Sequence, residues 1–265
     1  MEIALPHIDY LNIDISSLAE SERITKWQRL IRDLCGINAE ILADAGKMTV
    51  NQDLKIIRKQ KLGDGAFGKV FRVLDRVGDE RAMKIIHCKD DNGLIKQLKE
   101  LFFQTRAQQS KCEYLNNCMK FQIVRSNGEY DCFAFMEMGV CDLKQILEIR
   151  MQRNMRYSNT DALISFMQLA LGFGAIESQG IAHRDIKPAN ILYSLEKAAF
   201  QIADFGEGLL LRPRLMKTDM AGSPAYHAPE LNAVYSADLP ETPEIDVLRA
   251  DIYSFGIVMY EMLTF

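Results

Sequence analysis

The sequence predicts an α+β protein of two lobes, a small β-rich lobe followed by a larger α-rich one. Two observations carry this reading. Short apolar runs separated by turn residues fill the stretch from about 53 to 137, broken by one helix-period run near Leu94 to Gln108. From Asp142 onward the text is mostly helical, with brief strand-like runs around Ile191 to Tyr193 and Phe200 to Ala203. That order leaves a cleft between the lobes, where ligands are commonly held.

In chain order, residues 1–50 form an N-terminal helical extension. Ser17-Leu18-Ala19-Glu20 has capping-box spacing, and Ile24, Trp27, Ile31, Leu34 and Ile41 follow at steps that make one apolar stripe. The stripe predicts a helix within 17–44 that packs on its own domain, with a partner-binding helix as the alternative. Residues 51–137 form the first lobe. Leu54 to Leu62, Lys69 to Asp75 and Arg81 to Cys88 are three strands. Met119 to Val124 and Tyr130 to Met136 are two more, flanking the hairpin signal Ser126-Asn127-Gly128. Residues 138–265 form the second lobe, whose last helix starts near Asp251.

Six short strings bear chemistry. Gly63-Asp64-Gly65-Ala66-Phe67-Gly68-Lys69-Val70 lies between two strands, and glycines there let the backbone approach phosphates and present its N–H groups. Lys84 is flanked by Ala82-Met83 and Ile85-Ile86, which predicts a buried-rim lysine needing an anionic partner. Glu100, the acid in the middle of the next helix, is that partner. In His183-Arg184-Asp185-Ile186-Lys187-Pro188-Ala189-Asn190, Asp185 can accept a hydroxyl proton, Asn190 can ligate magnesium and Lys187 can meet a transferring phosphate. Asp204-Phe205-Gly206 puts a carboxylate at a strand end, where a hard cation can sit. Ala228-Pro229-Glu230 and Asp251-Ile252-Tyr253-Ser254-Phe255-Gly256 complete the set. Each string alone is weak; their fixed order is not.

Taken together, these strings resemble the eukaryotic protein kinase family from about Ile56 to Phe265. The resemblance implies a two-lobed kinase fold binding ATP and Mg2+ and phosphorylating protein Ser/Thr hydroxyls. It implies that Gly63, Gly65 and Gly68 form the phosphate loop, that Lys84 pairs with Glu100, that Asp185 is the catalytic base, and that Asn190 and Asp204 hold the metal. Val70, Ala82 and Leu192 would sandwich adenine, Met136 would be the gatekeeper, and the backbone of Glu137 and Gly139 would bond the adenine edge. Lys187 and Gly222-Ser223-Pro224 are typical of serine/threonine members, with Ser223 bonding near Asp185 and Lys187. Arg184 would face an activating group, for which Asp219 partly stands in, with Thr218 as a phosphosite.

Three features depart from the family pattern. Gln104 stands where an apolar residue usually bridges to Phe205, which implies a less firmly set helix. Ala189 replaces a frequent Glu, so a preference for Arg near the acceptor is not implied. The family has further helices after the one near Asp251, so the second lobe is expected to be incomplete, with Glu230 short of its usual Arg. A silent kinase-like scaffold is the rival reading, countered by every catalytic position being filled. A small-molecule kinase is countered by the Gly-Ser-Pro and Ala-Pro-Glu strings.

Composition narrows the setting. A net charge of −4 argues against nucleic-acid binding. No apolar run has the length of a membrane span, the first residues lack a secretory pattern, and Glu2 excludes myristoylation. Six cysteines form no C-x-x-C pair, and Cys35, Cys88 and Cys132 read as small buried hydrophobes, as expected in the cytosol or nucleus.

Overall fold

A computed structural model describes residues 18–35, 37, 39, 41–43, 60–65, 68–75, 78–211, 215–216, 220–236 and 244–264. The first lobe runs α1 (Glu20–Cys35), β1 (Ile41–Ala43), β2 (Gln60–Gly65), β3 (Gly68–Leu74), β4 (Glu80–Cys88), α2 (Asp91–Gln108), β5 (Cys118–Ser126) and β6 (Glu129–Glu137). The second continues with β7 (Cys141–Asp142), α3 (Leu143–Gln152), α4 (Asn159–Ser178), β8 (Ile181–Ala182), β9 (Ile191–Ser194), β10 (Ala199–Ile202), β11 (Leu209–Leu210), β12 (Leu215–Met216), α5 (Pro229–Ser236), β13 (Ile245–Asp246) and α6 (Val247–Thr264). Short 3-10 turns occupy Pro188–Asn190 and Pro224–Tyr226. Among the described residues no helix is long and apolar enough to cross a membrane.

The first-lobe strands form one sheet in the order β1-β5-β6-β4-β3-β2. Strand alternation divides its side chains between two faces. Phe71, Met83, Ile85, Phe133 and Phe135 share one face and build a small apolar cluster with Val73. Val70, Ala82, Lys84, Ala134 and Met136 share the other, from which Lys84 reaches Glu100 on α2. The β5–β6 hairpin turns at Asn127 (φ 52°) and Gly128 (φ 86°), two positive-φ residues in succession, as the Asn-Gly signal predicts.

Helix starts follow local chemistry. The Asp90 carboxylate caps α2 by accepting the Gly93 N–H at 2.8 Å. Asp142 and Gln145 form a capping box on α3. Ser158 caps α4 by accepting the Asp161 N–H at 3.0 Å.

The structure corrects several boundaries. The N-terminal helix ends at Cys35, and Ile41 belongs to β1, which pairs in parallel with β5. A strand there gives the sheet six members rather than five. Glu22, not Glu20, reaches back to the helix start, accepting the Ala19 N–H at 3.2 Å. The predicted strand from Leu54 is described only from Gln60, as β2. α2 begins at Asp91 rather than Leu94, and α6 at Val247 rather than Asp251. α6 is buried on one side, through Phe255, Val258 and Met262, while Ile252, Tyr260 and Leu263 are exposed. Glu230 is exposed, so water reaches its carboxylate. Cys88, Cys118 and Cys132 are buried free thiols; the Cys35 side chain lies outside the described residues.

Candidate active site

The glycine string sits on the hairpin β2–β3, with Gly63 opposite Val70 and Gly65 opposite Gly68; Ala66 and Phe67 lie outside the described residues. A Cβ on Gly68 would fall 2.3 Å from the Ile85 carbonyl oxygen, so only glycine lets β3 lie this close to β4. Val70 pairs with Lys84, and Ala82 with Met136, which brings four predicted site residues onto one face. Leu192, on β9, faces Gly139, where an added Cβ would meet the Leu192 Cβ at 2.8 Å. The close approach explains why this segment after β6 carries a glycine.

Lys84 Nζ donates to Glu100 Oε1 at 2.7 Å, and both side chains are nearly buried. Burial alone would lower the lysine pKa, but the carboxylates of Glu100 and Asp204 outweigh it and hold Lys84 above its ordinary value. Burial, helped by Asp204, raises Glu100 against the pull of Lys84. The ammonium is thus bonded to Glu100 on α2 and favoured as a cation by the charge of Asp204.

Asp185 is held by three neighbours. Asn190 Nδ2 donates to its carbonyl at 2.8 Å and to Oδ2 at 2.9 Å. Lys187 Nζ donates to Oδ2 at 2.6 Å and to Ser223 Oγ at 2.8 Å, and Ser223 Oγ donates to Oδ1 at 2.9 Å. The loop is anchored from below. Buried Asp251 accepts the N–H groups of His183 (2.6 Å) and Arg184 (2.7 Å). Burial pushes the Asp251 carboxyl up while these donors pull it down. His183, fully buried, accepts the Asp185 N–H on Nδ1 at 3.3 Å and meets the Ala203 carbonyl through Nε2 at 3.1 Å, which assigns its hydrogen to Nε2. Arg184 and Asp204 both hold φ of 67°, a left-handed geometry that costs non-glycine residues about 1–3 kcal/mol and persists where the surroundings impose it.

The Asp204 Oδ1 accepts the Gly206 N–H at 3.3 Å, and Phe205 is buried against His183 at 5.1 Å between ring centroids. Gly208 passes between α2 and this turn. A Cβ there would lie 2.8 Å from the Phe103 ring and 3.0 Å from the Phe205 carbonyl oxygen.

Sequence reasoning missed a polar knot behind the cleft. The Glu137 carboxylate accepts from Lys197 Nζ (2.8 and 2.9 Å), Gln201 Nε2 (2.9 Å) and Asn117 Nδ2 (3.1 Å). Its backbone N–H donates to the Asn117 carbonyl at 3.0 Å, and its carbonyl accepts Asn116 Nδ2 at 3.2 Å. No motif marks these residues, because the knot joins three separate segments. Gln104 belongs to the same region. It is buried, and its amide donates to the Asn116 carbonyl at 3.2 Å, so a hydrogen bond ties α2 where apolar packing was expected. Thr218 and Asp219 lie outside the described residues, and so does the predicted partnership of Asp219 with Arg184.

The chain is 28% identical over 207 residues to the serine/threonine-protein kinase Nek5 of Mus musculus, covering 77% of this chain and 30% of that protein. It is 31% identical over 228 residues to the serine/threonine-protein kinase pakF of Dictyostelium discoideum, covering 82% and 17%. It is 28% identical over 237 residues to the calcium/calmodulin-dependent protein kinase kinase cmkC of Emericella nidulans, covering 76% and 44%. The chain thus spans less than half the length of each of these relatives. The family model for the protein kinase domain matches residues 56–265, and the chain belongs to that family.

Proposed function

We propose that this chain transfers the γ-phosphate of ATP to a Ser or Thr hydroxyl of a protein. The observation that carries the reading is the Asp185–Lys187–Ser223 triangle of hydrogen bonds, which gathers a base, a cation and a hydroxyl from two loops. Asp185 orients the acceptor hydroxyl and takes its proton. Lys187 meets the charge of the transferring group. Lys84, kept protonated by Glu100 and Asp204, holds the phosphates of the nucleotide. Val70, Ala82 and Leu192 clasp the base, with Met136 at its back and the backbone of Glu137 and Gly139 at its edge.

The residues fit Mg2+. Asn190 gives its Nδ2 to Asp185, so its Oδ1 is left to accept, and Asp204 adds a carboxylate. Among the described residues no three His, Cys, Asp or Glu side chains gather, and an all-oxygen pair completed by phosphates and water suits this ion. When bound, Mg2+ neutralises charge on the phosphates. Asp219 in this reading provides part of the charge that Arg184 needs, with Thr218 as the phosphosite. A cytosolic or nuclear setting accords with the three buried free thiols.

The test is a radiolabelled-ATP assay on a generic protein substrate, with nucleotide binding measured alongside. Asp204→Ala should abolish transfer and weaken Mg·ATP binding, whereas Asp185→Asn should lose turnover and keep binding. Equal loss of nucleotide affinity in both variants would overturn the assignment. Asp219→Ala should lower the activity of the unphosphorylated protein, and unchanged activity would remove its role.

A further inference from the structure

The family match begins at residue 56, yet α1, with Ile37 and Ala39 after it, is packed into the same core as Ile186 and Phe205 of the site. α1 lies along α2, with Ile24, Trp27, Leu30 and Ile31 buried in the cluster that holds Leu94, Leu98, Leu101 and Phe102. Trp27 meets the Phe102 ring edge-on at 5.0 Å. Two polar contacts pin the flanks: Asn92 Nδ2 donates to Glu20 Oε1 at 2.7 Å, and Gln28 Nε2 donates to the Ala39 carbonyl at 2.5 Å. Just beyond, β1 adds itself to the sheet edge along Ile123 to Arg125.

α2 carries three consequential residues close together. Glu100 reaches Lys84, Phe102 receives Trp27, and Phe103 packs edge-on against Phe102 at 5.5 Å while pressing on Gly208. A contiguous line of packed rings therefore runs from α1 to the turn that carries Asp204. A helix shifted by one ångström would break the 2.7 Å bond of Glu100, since hydrogen bonds weaken steeply with distance and angle.

We infer that α1 and β1 are a built-in brace of the catalytic apparatus, in which α1 seats α2 and Trp27 is the positioning residue that keeps Glu100 on Lys84. The apolar stripe of α1 is thereby occupied within its own domain. The brace rests on the reading of Lys84 and Glu100 as part of a phosphotransfer site, but its effect on the ion pair can be measured without activity.

Trp27 is the single tryptophan of the chain, so its emission reports on the α1–α2 contact alone. Two measurements decide. In the first, kcat and KM for ATP are measured for the wild type, Trp27→Ala, Glu100→Gln and the double variant, with thermal melts of each. Trp27→Ala should lower kcat/KM by at least about fivefold, as coupled sites do. The double variant should be no worse than Glu100→Gln alone, because both changes act through one bond. Trp27→Phe should fall between wild type and Trp27→Ala. If Trp27→Ala fails to fold, the cycle is run with Trp27→Leu. In the second, Trp27 emission is compared between wild type and Lys84→Met. Breaking the ion pair should shift the emission, since coupling is reciprocal. Multiplying losses in the double variant, or full activity in Trp27→Ala, overturns the brace. Should the wild type transfer no phosphate, the proposed function falls, and the emission shift alone then decides for or against the brace.

Discussion

Gly222 lies directly beneath Arg184, so close that a Cβ on it would stand 2.2 Å from the Arg184 carbonyl oxygen. Its φ of 86° is a second reason for glycine. The contact docks the Gly-Ser-Pro loop onto the loop of Asp185 and thereby aims Ser223. Gly222→Ala should therefore move Ser223 off Asp185. A displacement of this kind can cost about 100-fold in rate. Steady-state kinetics should show the loss in kcat, with the KM for ATP little changed. Wild-type turnover in this variant would show that the close approach does not set the site.

Gly208 is crowded in the same way, between α2 and the Asp204 turn. Its missing Cβ leaves room for the Phe103 ring and the Phe205 carbonyl, at 2.8 and 3.0 Å from where that atom would be. Gly208→Ala should push α2 and the Asp204 turn apart. Overpacking of this type costs about 1–3 kcal/mol. Because Glu100 rides on α2, the KM for ATP should rise along with the loss of stability. A melt lowered to that extent with an unaltered KM would confine the effect to packing.

The sequence made the strings legible because each is local. The glycine hairpin, the Lys84 strand and the Asp185 loop are short segments whose residue types dictate their geometry; the structure pairs the first two in one sheet and ties Asn190 to Asp185 in the third. The Glu100 partnership was also readable, since a buried lysine requires an acid and α2 offered one in its middle. What escaped is non-local. Glu137 looks like any strand-end acid until Lys197, Gln201 and Asn117 arrive from distant positions. Ile41 fits a helical stripe by spacing, yet the edge of β5 offers unpaired backbone groups, and pairing with them makes a strand. Gln104, standing where an apolar residue usually bridges to Phe205, predicts a loosely set helix. The Asn116 carbonyl, which must be satisfied once buried, turns the Gln104 amide into a tether.

Ser223 is the neutral member of the Asp185 triangle, and its hydroxyl both accepts from Lys187 and donates to Asp185. Ser223→Ala leaves Asp185 Oδ1 without that donor and lets the carboxylate turn toward Lys187. A hydrogen bond to a charged group contributes about 1.5–3 kcal/mol, so kcat should fall about 10- to 100-fold. The KM for ATP should hold, because Ser223 bonds to Asp185 and Lys187 and not to the residues proposed to clasp the base. Ser223→Thr keeps the hydroxyl and should recover most of the rate. Equal losses in the Ala and Thr variants would point to space rather than hydrogen bonding as what matters here.

The Glu137 knot makes stability depend on pH in a stated direction. Burial raises the Glu137 carboxyl, but the donors Lys197, Gln201 and Asn117, together with the Lys197 charge, outweigh it and hold its pKa below the ordinary carboxylate value. A depressed folded-state pKa contributes stability that is present above the unfolded value of about 4.3 and is lost as pH falls through the folded one. Lys197→Met removes the charge and its two hydrogen bonds while leaving the burial in place. Both partners are about one-fifth exposed, between a surface pair and a buried one. The loss at pH 7 should accordingly be roughly 1–3 kcal/mol. As pH falls below the unfolded value and through the lower folded one, the wild type progressively loses this contribution by protonation, so the gap between the two proteins should narrow. Urea midpoints of both at pH 7 and at a series of lower pH values measure the gap. A gap of constant size would mean that Lys197 stabilises the protein through its aliphatic stem and not through the carboxylate of Glu137.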